Sequence, residues 1–181
     1  MAEKTYVALL RGINLGGRNR LPMRELAALF ADCDCGAVRT YIQSGNVVFE
    51  ASPKRAERVP ACVAAAIEER FGFSSPVVLR SAEELRGVAG ANPFLAEGAD
   101  PGALHVAFLA DAPSAARIGT LDDHRSPPDR FVVRGREIYL HLPQGMARTR
   151  LSNQYFDSRL ATTSTIRNWR TVLKLVDMTS G

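Results

Sequence analysis

From Thr5 to Arg80, short apolar runs alternate with segments whose apolar residues recur at helical spacing. Thr5 to Leu10 is an apolar strand run followed by a glycine-rich loop. Pro22 then stands where a first helical residue is favoured, and Leu26, Leu29, Phe30 and Cys33 mark a helix to about Asp32. Val38 to Gln43 and Val47 to Glu50 flank Ser44-Gly45-Asn46, which predicts a hairpin. Val59, Cys62, Val63, Ala66 and Ile67 form the next helical stripe, and Pro76 to Arg80 is the next strand. Strand, helix, strand, strand, helix, strand is the ferredoxin-like order.

The order partly recurs. Ser81, with Glu84 at capping-box spacing, opens a helix to about Gly90, and Asn92 to Gly102 reads as loop. Leu104 to Leu109 is a strand, and Ser114 to Asp122 is a helix with Ile118 and Leu121 on one side. Arg130 to Arg134 and Glu137 to Leu142 are strands joined tightly at Gly135-Arg136. Two helices close the chain, Asn153 to Leu160 and Arg167 to Asp177, the last with a stripe of Ile166, Trp169, Val172, Leu173 and Val176. The fold class expected is α+β, with two ferredoxin-like (βαββαβ-type) halves packed together and the second lacking its final strand. The first subdomain is 1–80. The second, with the C-terminal helices, is 81–181, and the boundary lies near Ser81 to Gly102.

The 181 residues, 46% hydrophobic and 23% charged, argue against a disordered chain. No run approaches the roughly 18 apolar residues of a membrane span. The first residues lack a secretory pattern, and Cys33, Cys35 and Cys62 are an odd number of cysteines. Together these predict reduced thiols and a cytoplasmic location. Cys33-Asp34-Cys35 offers two metal ligands where a closed site needs about four, so no metal is assigned. A net charge of +4 permits a phosphorylated or nucleic-acid partner without requiring one.

Three segments carry glycine and polar residues in unusual density: Arg11 to Arg20, Tyr41 to Asn46, and Thr165 to Thr171. In the ferredoxin-like order the first two strands run the same way. The loop after the first and the hairpin after the second should therefore meet at one end of the sheet. Gly12 to Asn19 nearly matches the phosphate-cradling loop Gly-x-x-x-x-Gly-Lys-Ser/Thr. Asn19 lacks the hydroxyl needed for magnesium, the helix starts late, and the element order differs, which argues against a nucleoside triphosphatase. A looser anion site fits better, with Arg18 as a forked cation. Ser, Gly and Asn at 44 to 46 also suit a plain turn.

Thr165 can cap the last helix, which places Arg167 in a first turn whose dipole disfavours cations; an acidic partner would relieve that conflict. Arg148-Thr149-Arg150 precedes another helix start and also suits an anion. His105 and His141 fall in strands and His124 in a charged loop, so no nucleophile-base pattern emerges. The RNA-recognition strand motif is absent.

At Leu10 to Asn19, Tyr41 to Phe49 and Arg167 to Val172 the chain resembles the bacterial domain of unknown function 1697 family. The likeness runs from about Thr5 to Met178. The family usually has Lys where Arg18 stands and Asn where Arg170 stands, and it often has Ser-Lys at Thr149-Arg150. The resemblance implies paired ferredoxin-like subdomains and brings no activity, cofactor or catalytic residue.

The function expected is binding of a small anionic ligand, a nucleotide or phosphorylated metabolite. Its contacts are Arg11, Asn14, Gly16, Gly17, Arg18, Gln43, Ser44, Asn46 and Arg167. The alternatives are an enzyme acting on a phosphorylated substrate through Ser44 or a metal-bound water, and a nucleic-acid or protein-interaction module. A further alternative is that the segments are only loop, turn and cap. Exposed edge strands leave a homodimer open.

Overall fold

The structure, a computed structural model, describes residues 2–181. It divides into two units, Met1–Arg86 with Leu175–Gly181, and Gly87–Lys174. The first carries β1 (Lys4–Leu10), α1 (Met23–Asp32), β2 (Gly36–Tyr41), β3 (Asn46–Ala51), α2 (Pro53–Ala56), α3 (Val59–Phe71), β4 (Val77–Ser81) and the start of α4 (Ala82–Gly90). Its four strands form an antiparallel sheet in the order β2-β3-β1-β4. Because β1 and β2 both run antiparallel to β3, they run the same way, and their C-terminal ends lie at one end of the sheet.

The periodicity of two explains which residues face the helices. Tyr6, Ala8 and Leu10 of β1 join Val47, Phe49 and Ala51 of β3 in a core with Leu26, Leu29 and Phe30 of α1 and Val63 and Ile67 of α3. Phe30 and Phe49 meet with ring centroids 5.4 Å apart. Each Val, Leu, Ile or Phe side chain of this core, fully removed from water, contributes about 1.5–3 kcal/mol. Val7 and Leu9, on the alternate positions of β1, are equally buried.

The packing of α1 beside α3 overturns the expectation of reduced thiols. Cys33, which caps α1, and Cys62, one turn into α3, are joined in a disulfide with Cα atoms 6.2 Å apart. Only Cys35 is free, and it is buried. The compartment reading built on three free thiols loses that premise. No helix among the described residues is long and apolar enough to cross a membrane.

The second unit holds the end of α4, then α5 (Pro93–Ala96), a 3-10 turn (Pro101–Ala103), β5 (Leu104–Leu109), α6 (Ala115–Ile118), β6 (Arg130–Arg134), β7 (Glu137–His141), α7 (Asn153–Leu160) and β8 (Ser164–Asn168). The last helix, α8 (Trp169–Thr179), begins in this unit. The strands form a second antiparallel sheet in the order β6-β7-β5-β8. Ala107, Leu109, Ile138 and Leu140 pack with Tyr155, Phe156 and Leu160 of α7.

The predicted capping box closes on both sides at α4. Ser81 N donates to Glu84 Oε2 at 2.8 Å, and Glu84 N donates to Ser81 Oγ at 3.1 Å.

Two expectations are corrected here. The second sheet does not lack its final strand, because β8 pairs along β5 from His105↔Asn168 to Leu109↔Ser164. The last helix therefore starts two residues later than predicted. Its cap is Asn168, whose Oδ1 accepts from Thr171 N at 2.8 Å, and not Thr165. The buried stripe also differs from the one expected: Trp169, Val172 and Leu175 are buried, whereas Leu173 is 47% exposed.

Candidate functional site

After Leu10 the chain leaves the sheet and is pinned at once. Leu10 N donates to Gly45 O at 2.9 Å, Arg11 N to Pro76 O at 3.1 Å, and Ser75 Oγ to Arg11 O at 2.9 Å. The following residues fold back as a miniature hairpin. Asn14 N donates to Asn19 O at 3.0 Å, Leu15 N to Arg18 O at 3.1 Å, and Arg18 N to Leu15 O at 2.8 Å. Gly16 and Gly17 form the two-residue tip with φ of +54° and +82°. Two consecutive positive φ values are the mirror-image turn that matches strand twist, and glycine adopts them without steric cost. Asn19 closes the base of the hairpin, its Nδ2 donating to Gly12 O at 2.8 Å. The amides of Asn14, Leu15 and Arg18 therefore close the hairpin instead of facing outward as a phosphate cradle.

The turn between β2 and β3 is built with similar economy. Asn46 is fully buried, and its Nδ2 donates to Tyr41 O at 3.1 Å and Ser44 Oγ at 3.0 Å. Gly45 holds φ +88°, and a Cβ there would lie 2.8 Å from Leu10 Cβ. Only glycine fits both demands. Ile42 holds φ +48° while 50% exposed, an unusual backbone for a β-branched residue.

Asn14 joins the two loops. Its Nδ2 donates to Gln43 O at 2.8 Å and to Leu21 O at 2.9 Å, and its Oδ1 accepts from Leu21 N at 2.8 Å. The convergence expected from strand order is therefore present: Gly12 to Arg20 and Gln43 to Asn46 are neighbours. Of the residues singled out, Gly16, Gly17, Arg18, Gln43 and Ser44 are exposed, Arg11 and Asn14 are half-buried, and Asn46 is interior. Leu15, 61% exposed, and Ile42 add apolar surface to the same pair of loops.

Arg167 belongs to the second unit. It lies within β8, not in a helical first turn, so the predicted conflict with a helix dipole does not arise there; the cation in the first turn is Arg170. Arg167 is 8% exposed, and its Nη1 donates to Thr165 Oγ1 at 2.7 Å and Ile166 O at 3.1 Å. Burial pushes its pKa down to about 10. Near α7, Ser152 provides the cap, and Arg150 O accepts from Arg125 Nε at 2.9 Å.

Sequence reasoning missed Arg80, which is 1% exposed in β4 with its Nη1 donating to Leu79 O at 2.8 Å. Its only signal was a cation on the strand register of Val78, a fully buried position. His105 and His141 carry buried Nδ1 atoms without partners, and burial holds the His105 pKa below its ordinary value. Among the described residues no group of three or more His, Cys, Asp or Glu side chains is placed to hold a metal.

Residues 3–139 match the family model described as "Protein of unknown function (DUF1697)". No curated protein matches the chain. Among solved structures, one described as conserved bacterial protein SP0830 from Streptococcus pneumoniae is similar in fold. Its TM-score is 0.75 at 22% identity, over 98% of this chain and 99% of that one. With about three quarters of its length matched by the family model, the chain belongs to the DUF1697 family of proteins of unknown function.

Proposed function

We propose that the paired loops of the first unit bind a small anionic ligand, a nucleotide or phosphorylated metabolite. The observation that carries this reading is the Asn14 junction, which holds an exposed hairpin and an exposed turn together while Arg11 and Arg18 flank them. Positive φ at Asn14, Asn19 and Ile42 costs backbone energy, and such strain tends to collect where function needs a fixed shape. Guanidinium forks match phosphate oxygens in pairs. In this reading Arg11 and Arg18 neutralise the ligand, Gln43 and Ser44 orient it, Gly16 and Gly17 allow close approach, and Asn14 and Asn46 hold the loops. The Ser44 hydroxyl accepts from the Asn46 side-chain amide, a contact that holds the turn in shape. The two sheet orders, with the first strand of each unit central, support a ferredoxin-like topology for both units.

A thermal-shift screen of nucleotides and phosphorylated metabolites tests the reading beside Arg18→Ala. A ligand at 100 times its Kd should stabilise by about 2.7 kcal/mol, a shift of several degrees that Arg18→Ala loses. A shift of equal size in wild type and Arg18→Ala would remove the loop from the site.

The exposed Leu15 and Ile42 favour a second reading, in which the same loops dock a macromolecule. Binding of short oligonucleotides that weakens steeply with salt would select the nucleic-acid form of it.

A further inference from the structure

The Cys33–Cys62 disulfide lies along an open cleft of about 410 Å³, whose lining also includes Lys54, Arg55, Arg58 and Asp34. Its two cysteines differ in exposure. Cys33 is 9% exposed at the C-terminal end of α1, whereas Cys62 is exposed one turn into α3. Their electrostatics differ too, and favour the thiolate at Cys62. A helix N-terminus and neighbouring cations favour a thiolate, while burial at a helix C-terminus opposes one. Lys54 and Arg58 are exposed and make no ion pair among the described residues; Arg55 is 3.5 Å from Glu3, and Asp32, also on the cleft, is held by Arg70 at 2.8 Å.

We propose that Cys62 is a thiol–disulfide exchange site for small carboxylate-bearing amino thiols, with Cys33 as its resolving partner and Lys54 and Arg58 holding the carboxylates. Asp34 lies where the ammonium group of such a thiol would be attracted.

In the reductive direction an external thiolate attacks Cys62 Sγ, on the more exposed of the two cysteines. A mixed disulfide forms on Cys62, and the electron pair of the broken bond goes to Cys33 Sγ, which takes a proton from water. A second external thiolate attacks the external sulfur of the mixed disulfide, releasing the oxidised small molecule and leaving Cys62 as the thiolate. Two thiols are oxidised and one protein disulfide is reduced. In the oxidative direction Cys62 thiolate opens an external disulfide, and Cys33 then attacks Cys62 Sγ and expels the external thiolate. Cys35 stays out of the exchange. Its Sγ is buried and turned to Cys33 O at 3.9 Å, and burial pushes its pKa up to about 11.

The test uses the full chain with glutathione and, as a cationic contrast without carboxylates, cysteamine. Wild type purified without reductant should titrate one thiol, Cys35, and reduced glutathione should raise that to three. Cys33→Ser treated with oxidised glutathione should carry a mixed disulfide on the Cys62 peptide. Relative to cystamine, that reaction should be roughly tenfold faster, in line with electrostatic steering. The double variant Lys54→Glu/Arg58→Glu should abolish the preference. If Cys33→Ser does not fold, wild type quenched with an alkylating agent during partial reduction gives the same readout on the Cys62 peptide. Three free thiols in the untreated protein, an adduct on Cys33 or Cys35 instead of Cys62, or equal rates for glutathione and cystamine would each overturn the proposal.

Discussion

Asn14 sits at φ +52° and makes three side-chain hydrogen bonds, two with Leu21 and one with Gln43. Alanine at this position removes all three and keeps the strained backbone. Asn14→Ala is expected to destabilise the chain by about 2–3 kcal/mol in urea unfolding, since each orphaned partially buried group costs about 1 kcal/mol or more. The glycines separate into two kinds. Gly45→Ala meets Leu10 Cβ at 2.8 Å as well as a positive φ, and should cost about 3 kcal/mol. Gly17→Ala meets open space and bears only the backbone term, about 1 kcal/mol. Equal losses at the two positions would contradict the packing around Gly45. Ile42→Asn runs the other way: asparagine tolerates the left-handed backbone, so the unfolding midpoint should rise by about 1 kcal/mol equivalent.

Helices and strands whose signals are local were legible in the sequence. β5 was expected at Leu104 to Leu109 and occupies those residues, and the Ser81/Glu84 box closes as its spacing predicts. β8 was not legible because Ser164 to Asn168 has no apolar alternation; it is a strand because β5 offers it a hydrogen-bonding edge, a non-local cause. Without that strand, the helical signal extends back to Arg167 and Thr165 stands at its cap. Asn168→Ala should therefore lower stability by about 1 kcal/mol through loss of the α8 cap. An unchanged midpoint in thermal or urea unfolding would remove Asn168 from that role. The meeting of the two loops was legible for the opposite reason, since it follows from strand direction alone.

Across the whole molecule, what escaped the sequence is pairing between distant segments. Cys33 and Cys62 are 29 residues apart, and nothing local shows that α1 and α3 lay them side by side. The same holds for the burial of Arg80 and His105, whose types suggest surface positions. His105 has consequences for pH. Its pKa is lowered in the fold, chiefly by burial, so below the ordinary 6.5 the unfolded chain binds the proton more readily. Its contribution to stability is complete above pH 6.5 and declines as pH falls toward the folded value. Urea midpoints should fall between pH 7 and pH 5, and His105→Gln should flatten that slope.

The claim that an anion binds the paired loops is tested most directly by NMR titration of the full chain with a nucleotide selected in the thermal-shift screen. Amide shifts centred on Gly16, Gly17, Arg18 and Gln43 to Gly45, saturating together and absent in Arg18→Ala, are the expected result. Saturable shifts confined to other residues, with these amides unmoved, would contradict it.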